Sequence, residues 1–83
     1  MTKVIDYINL KNSYIYAIQA GLMLKADYEE AKRGNEILHH FCESCIDNSN
    51  YIEQDKQSMK HDLKLVKEAL SQEIEHHFRK TLQ

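Results

Sequence analysis

His39, His40, Cys42 and Cys45 bring two imidazoles and two thiols into a span of seven residues. A Cys-x-x-Cys pair can hold zinc, because thiolates at that spacing reach one tetrahedral ion, but a structural site needs two further ligands. His39 could join from the same helix, which leaves one position for a second chain to fill. The remaining imidazoles are His61, His76 and His77. If the chain folds back after Cys45, His77 stands about 26 residues along the next helix, roughly 39 Å away. His61 is nearer, but it falls almost opposite that helix's apolar seam. Cys42, Cys45 and His39 are therefore weak metal candidates. The expected role of both cysteines is that of small buried hydrophobes, with no metal or other cofactor required.

Redox use of the pair is weaker still. That chemistry wants a cysteine at a helix N-terminus, where the dipole lowers its pKa. Here the pair stands late in its helix with Glu43 alongside, and both features raise a thiol pKa. Five histidines could add positive charge on mild acidification, His77 being the one placed on an apolar seam. No glycine-rich phosphate loop or Ser/His/Asp arrangement is present, so an enzyme is not expected. Tyr14, Tyr16 and Tyr28 could stack bases, but no arginine is interleaved with them. Tyrosines are also frequent at protein interfaces.

These side chains must be held by helices. The chain contains no proline and two glycines, so few turns are marked. Thr2 can cap a first helix starting near Lys3. Val4, Ile8, Ile15, Ile18, Leu22 and Ala26 share one stripe, which predicts a single long helix with Lys32 and Arg33 in its last turn and Gly34 as its stop. Asn35 then caps a short second helix. Its Ile37, Leu38, Phe41, Cys42, Cys45 and Ile46 occupy half the wheel. The run Asp47-Asn48-Ser49-Asn50 is the clearest loop. A third helix is expected from Tyr51 to Thr81, with a seam of Ile52, Met59, Leu63, Val66, Leu70, Ile74 and His77.

Between Tyr14 and Leu24 the first helix is apolar on every side, with Gln19 the one interruption. A surface helix needs one apolar stripe; a helix apolar all round needs cover all round. An 83-residue chain is near the lower limit for a self-sufficient core, and oligomerisation is a common remedy. The expected self-association surface is Tyr14, Tyr16, Ala20, Leu22, Met23 and Leu24. The small group Ala17, Ala20 and Gly21 would admit another backbone closely.

Charge is segregated. Residues 27–55 hold eight acidic groups against two basic ones, whereas the flanking thirds are each mildly basic. The acidic middle is either a solvated turn region or a docking surface for a basic partner. A pI near 6.2 disfavours nucleic acid. The lysines at 56, 60, 64 and 67 nonetheless share a side of the third helix. The apolar run is too short for a membrane span, and Asp6, Asn9 and Lys11 interrupt any signal-peptide core, so a cytoplasmic protein is expected. Nine lysines against two arginines, with abundant isoleucine and asparagine, point to an AT-rich coding sequence such as that of a low-GC bacterium or its phage.

The sequence thus predicts one all-α domain over 1–83. Its architecture is a helical hairpin or three-helix bundle, two long antiparallel helices and one short, pairing into a homodimer. The expected function is a small non-enzymatic regulator, adaptor or inhibitor that binds another protein. The alternatives are a nucleic-acid-binding transcriptional regulator using the third-helix lysines, and a metal module through Cys42 and Cys45.

Overall fold

The computed structural model describes residues 6–81, which form three helices: α1 (Tyr7–Met23), α2 (Tyr28–Asp47) and α3 (Glu53–Thr81). Side-chain bonds fix the topology. Tyr7 reaches Asp62 and Gln19 reaches Glu73, so α1 runs parallel to α3. Tyr28 reaches Glu75 and Lys60 reaches Asp47, so α2 runs antiparallel to α3. The result is an up-down-up bundle, a rod of 50 × 21 × 17 Å.

This differs from the expected architecture. The single helix predicted from Lys3 to Arg33 is two helices, and the middle helix is 20 residues long against 17 for α1. The outer helices are parallel, because two tight reversals return the chain to its first direction. The start at Lys3 and the Thr2 cap lie outside the described residues. Within them, Asp6 caps α1, its carboxylate accepting from the Asn9 backbone N–H at 3.3 Å and side-chain amide at 2.8 Å.

The break falls where two capping motifs meet. Ala26 N–H donates to Gly21 C=O at 3.0 Å and Lys25 N–H to Leu22 C=O at 3.3 Å, the paired bonds of a Schellman turn. Such a turn puts its C′ residue in the left-handed region, and that residue is Lys25, with φ 65°. Asp27 then caps α2 by accepting from Glu30 N–H at 2.8 Å. Glu29 and Glu30 add negative charge to the positive end of the helix dipole.

Gly34 and Asn35, expected to separate two helices, lie inside α2. Asn35 is 2% exposed and joins all three helices. Its side-chain oxygen accepts from the Tyr14 hydroxyl of α1. Its amide donates to Lys67 C=O at 3.1 Å and Ser71 Oγ at 3.0 Å, both on α3. An asparagine that is neutral-to-unfavourable in a helix interior is retained there because its polar atoms are satisfied across the bundle.

Apolar burial surrounds this link. Tyr14, Ile18 and Leu22 from α1, Cys42 and Ile46 from α2, and Leu63, Leu70 and Ile74 from α3 make the core. The predicted α3 seam contributes as expected from Met59 to Ile74, and His77 at its end is half-buried, whereas Ile52 is 64% exposed because it precedes the helix.

Two stability outcomes follow. Lys25→Gly should raise stability by about 0.5–1 kcal/mol, since relief of the left-handed penalty exceeds glycine's entropy cost. Lys25→Val should lower it, and thermal unfolding monitored by circular dichroism distinguishes the signs. Asn35→Ala should cost about 2–4 kcal/mol by removing the side-chain acceptor of the Tyr14 hydroxyl and the amide that donates to Lys67 C=O and Ser71 Oγ. Tyr14→Phe should add little in the Asn35→Ala background, a non-additivity that a urea-denaturation cycle reads directly.

Candidate interaction surface

Two of the three grooves between helices are laced by polar bonds. On the α1–α3 side the Asp62 carboxylate accepts from Tyr7 Oη at 2.5 Å and from Lys11 Nζ at 3.1 Å. These two donors hold the Asp62 carboxyl below the usual carboxylate range, and burial together with the Asp62 bond pushes the Tyr7 phenol up. On the α2–α3 side Lys60 Nζ pairs with Asp47 at 2.9 Å, Lys56 Nζ donates to the Asp47 carbonyl at 3.1 Å, and Lys67 pairs with Glu36 at 3.5 Å. Lys56 and Lys60 thereby supply the positive charge that the last turn of α2 lacks. The acidic middle of the sequence and the lysines of α3 are thus partly engaged with each other. Of the four lysines considered as phosphate contacts, Lys56, Lys60 and Lys67 have partners within the chain.

The cysteines and His39 do not converge. Three residues along a helix turn a side chain by about 60°, so His39 and Cys45 diverge by about 120° on either side of Cys42. Cys42 is 2% exposed in the core, and burial pushes its thiol up to about 11, far from a thiolate at neutral pH. His39 leans toward α3, bordering a polar groove with Lys60, Lys64 and Lys67. Its Nδ1 lies 3.6 Å from Glu43 Oε1, and its Nε2 is buried with no hydrogen-bond partner. Among the described residues no group of three or more His, Cys, Asp or Glu side chains is arranged to hold a metal ion. His77 borders the apolar cleft at the far end of α3, with its ring edge-on to Phe78 at 5.0 Å.

The six residues expected to mediate association divide. Tyr14 and Leu22 are core residues of the chain itself, at 2% and 6% exposure, and Ala20 is half-buried. Tyr16, Met23 and Leu24 are open to solvent at 73%, 82% and 83%. From Tyr7 to Leu24 the one charged residue is Lys11, and it is turned onto Asp62. The outward face of α1 therefore carries no charge over four turns, where a solvated surface is ordinarily a quarter or more charged. Depletion of charge is what marks the centre of a protein interface.

Two further apolar features adjoin this face. A cleft of about 870 Å³ opens where the α1–α2 turn meets the end of α3, walled by Leu22, Met23, Tyr28 and Phe78 and rimmed by Lys25, Asp27, Glu75 and Arg79. The Tyr28 and Phe78 rings meet edge-to-face at 5.4 Å, and the Tyr28 hydroxyl donates to Glu75. On α2, Ile37 and Phe41 stand 59% and 57% exposed. Sequence reasoning assigned both to the core arc of the second helix. The missed signal was the width of that arc, half the wheel, which is more than two neighbouring helices cover.

No protein-family model, characterised protein or solved structure matches this chain, so its chemistry is argued from its own residues.

The displaced proton affinities imply a stability profile with an acid and an alkaline arm. Burial lowers the His39 pKa below 6.5, so the unfolded chain takes up that proton first and stability falls as pH drops below 6.5. The depressed carboxylates Asp27 and Asp62 lose their contribution only below about pH 4. At the alkaline end Tyr7, Tyr14 and Cys42 hold their protons longer in the fold than in the unfolded chain. Stability therefore falls again as pH rises above about 9. Urea midpoints should decline between pH 7 and 5, and His39→Gln should flatten that arm while leaving the alkaline arm unchanged.

Proposed function

We propose that this chain is a small non-enzymatic regulatory or adaptor protein that acts by binding another protein. The observation that carries the reading is the charge-free outer face of α1, on which Tyr16, Met23 and Leu24 stand open. Holding such side chains in water has no benefit to the fold of the chain itself, and contiguous apolar exposure of this kind is characteristic of recognition surfaces. The groups with displaced proton affinities support it from the other side. Tyr7, Tyr14, Asp62 and Lys60 are each bonded to a neighbouring helix, so their perturbation accompanies structural links.

Tyr16→Lys combined with Met23→Glu places charge at two exposed positions, where surface substitutions cost little stability. Affinity capture from cells that express the protein should recover a discrete partner with the wild-type chain and lose it with the double variant. Equal recovery by both chains would place recognition elsewhere, and no recovery by either would remove the proposal.

A further inference from the structure

We propose that the cleft at the end of the rod binds a long-chain aliphatic carboxylate, its tail among Met23, Tyr28 and Phe78 and its head held by Lys25 and Arg79. This goes beyond the protein-binding reading. That reading stands on the convex outer face of α1, whereas this one stands on a concavity formed where helix ends meet.

The walls decide what kind of tail fits. The cleft of about 870 Å³ lies between the α1–α2 turn and the last turns of α3. Its volume is that of a small-molecule site, and its lining is mostly apolar, as such sites are. Tyr28 and Phe78 form a fixed wall, their rings edge-to-face at 5.4 Å. The Tyr28 ring is held from two sides: its hydroxyl donates to Glu75, and Lys32 Nζ sits 4.9 Å from its centroid. Met23 is the adaptable wall. It is 82% exposed, so the rest of the chain does not fix its rotamer. An unbranched thioether of this kind can follow an alkyl chain.

The rim decides what kind of head. It carries Lys25, Asp27, Glu75 and Arg79. Both carboxylates already serve as acceptors. Asp27 takes the Glu30 N–H at 2.8 Å, with Arg33 near enough to stabilise its charge, and Glu75 takes the Tyr28 hydroxyl. The two cations have no such employment. Among the described residues neither Lys25 nor Arg79 has an ion-pair partner, although Arg79 stands one turn beyond Glu75. The cleft thus presents unused charged donors over an apolar interior. A neutral oil would leave the cations unmatched, and inorganic phosphate would leave the walls bare. An aliphatic carboxylate answers both, since a guanidinium fork matches its two oxygens and its tail displaces water from the walls.

The backbone at Lys25 supports the same assignment. With φ 65° it occupies the left-handed position where glycine is the easier residue. A lysine kept there costs stability and delivers an ammonium to the rim. Strain of this kind gathers at ligand clamps.

The test is titration calorimetry of the full chain with dodecanoate below its micelle concentration. Binding should saturate at one molecule per chain. Each methylene moved from water to an apolar wall strengthens binding about fourfold, so dodecanoate should bind about tenfold or more tightly than decanoate. Lys25→Gln combined with Arg79→Gln should weaken dodecanoate about tenfold or more. Lys64→Gln, an equal charge loss away from the cleft, should leave it unchanged. Dodecyltrimethylammonium, with the same tail and the opposite charge, should bind more weakly than dodecanoate to the wild-type chain. A photoreactive diazirine analogue of the acid should label 22–28 and 75–79 of the wild-type chain, which keeps the proposal testable if the double variant fails to fold. Absence of saturable binding, equal binding of the cationic amphiphile, labelling elsewhere, or uptake by anionic vesicles without binding of the free acid overturns it. Tyr16→Lys alone should leave dodecanoate binding intact while weakening capture of a protein partner, so either proposal can fail without the other.

Discussion

The Asn35 amide is the constraint on which this bundle depends. A rod 21 Å by 17 Å in section is scarcely two helix diameters across, so apolar packing alone sets the register of its helices weakly. Leucine and isoleucine side chains can slide by a turn and still find apolar neighbours. The chain from the Tyr14 hydroxyl through Asn35 to Lys67 C=O and Ser71 Oγ cannot, because a one-turn slip breaks all three of its bonds at once and strips both polar ends of the buried Asn35 amide. Its value lies in specifying one alignment, the role a single buried asparagine plays in coiled coils.

Two outlying links repeat the device near the ends of the rod. Tyr7 and Tyr28 each extend a phenol to a carboxylate of α3, Asp62 and Glu75, on either side of the Asn35 centre. The Lys60–Asp47 pair adds a further clasp between α2 and α3. These exposed ion pairs contribute little stability on their own. Their effect is to make acidic α2 and lysine-rich α3 mutually preferred neighbours, which leaves α1 to cover the remaining apolar flank. Within α1 the one charged side chain, Lys11, is likewise turned onto α3 through Asp62.

The all-α class, the third helix and most of its seam were legible because a long period-3.6 pattern survives any tertiary context. The first two helices were not divided correctly, and the reason is specific. Gly34-Asn35 carries a stronger local stop signal than Leu24-Lys25-Ala26, since lysine is a rare occupant of the left-handed position that ends α1. Asp27-Tyr28-Glu29-Glu30 did announce a helix start, with an acceptor at the cap and acidic residues in the first turn. That signal lost to the continuity of the Ile15, Ile18, Leu22 and Ala26 stripe. Asn35 could not be recognised as a core residue, because its three-helix bonding is non-local. Tyr14 and Leu22, expected to be covered by a second chain, are buried within this one, and Ile37 and Phe41 of the apolar arc are exposed. Tyr16, Met23 and Leu24 stand outward because no neighbour within the chain reaches the far side of α1.

Stability and exposure are linked in this arrangement. A three-helix rod needs each helix to be apolar toward two neighbours, an arc wider than the single stripe of an ordinary amphipathic helix. Polar bonding closes two of the three grooves, so their outer margins can be charged without loss. Among the described residues the side-chain hydrogen bonds between α1 and α2 are those of Tyr14 and Asn35, and the rest of the groove is held by apolar contact through Ile18, Leu22 and Ala31. Leu24, Ile37 and Phe41 lie beyond what the chain itself buries. A substitution that made this flank polar would relieve exposure and loosen the α1–α2 seam together, unless it were confined, like Phe41→Glu, to a side chain standing clear of the groove.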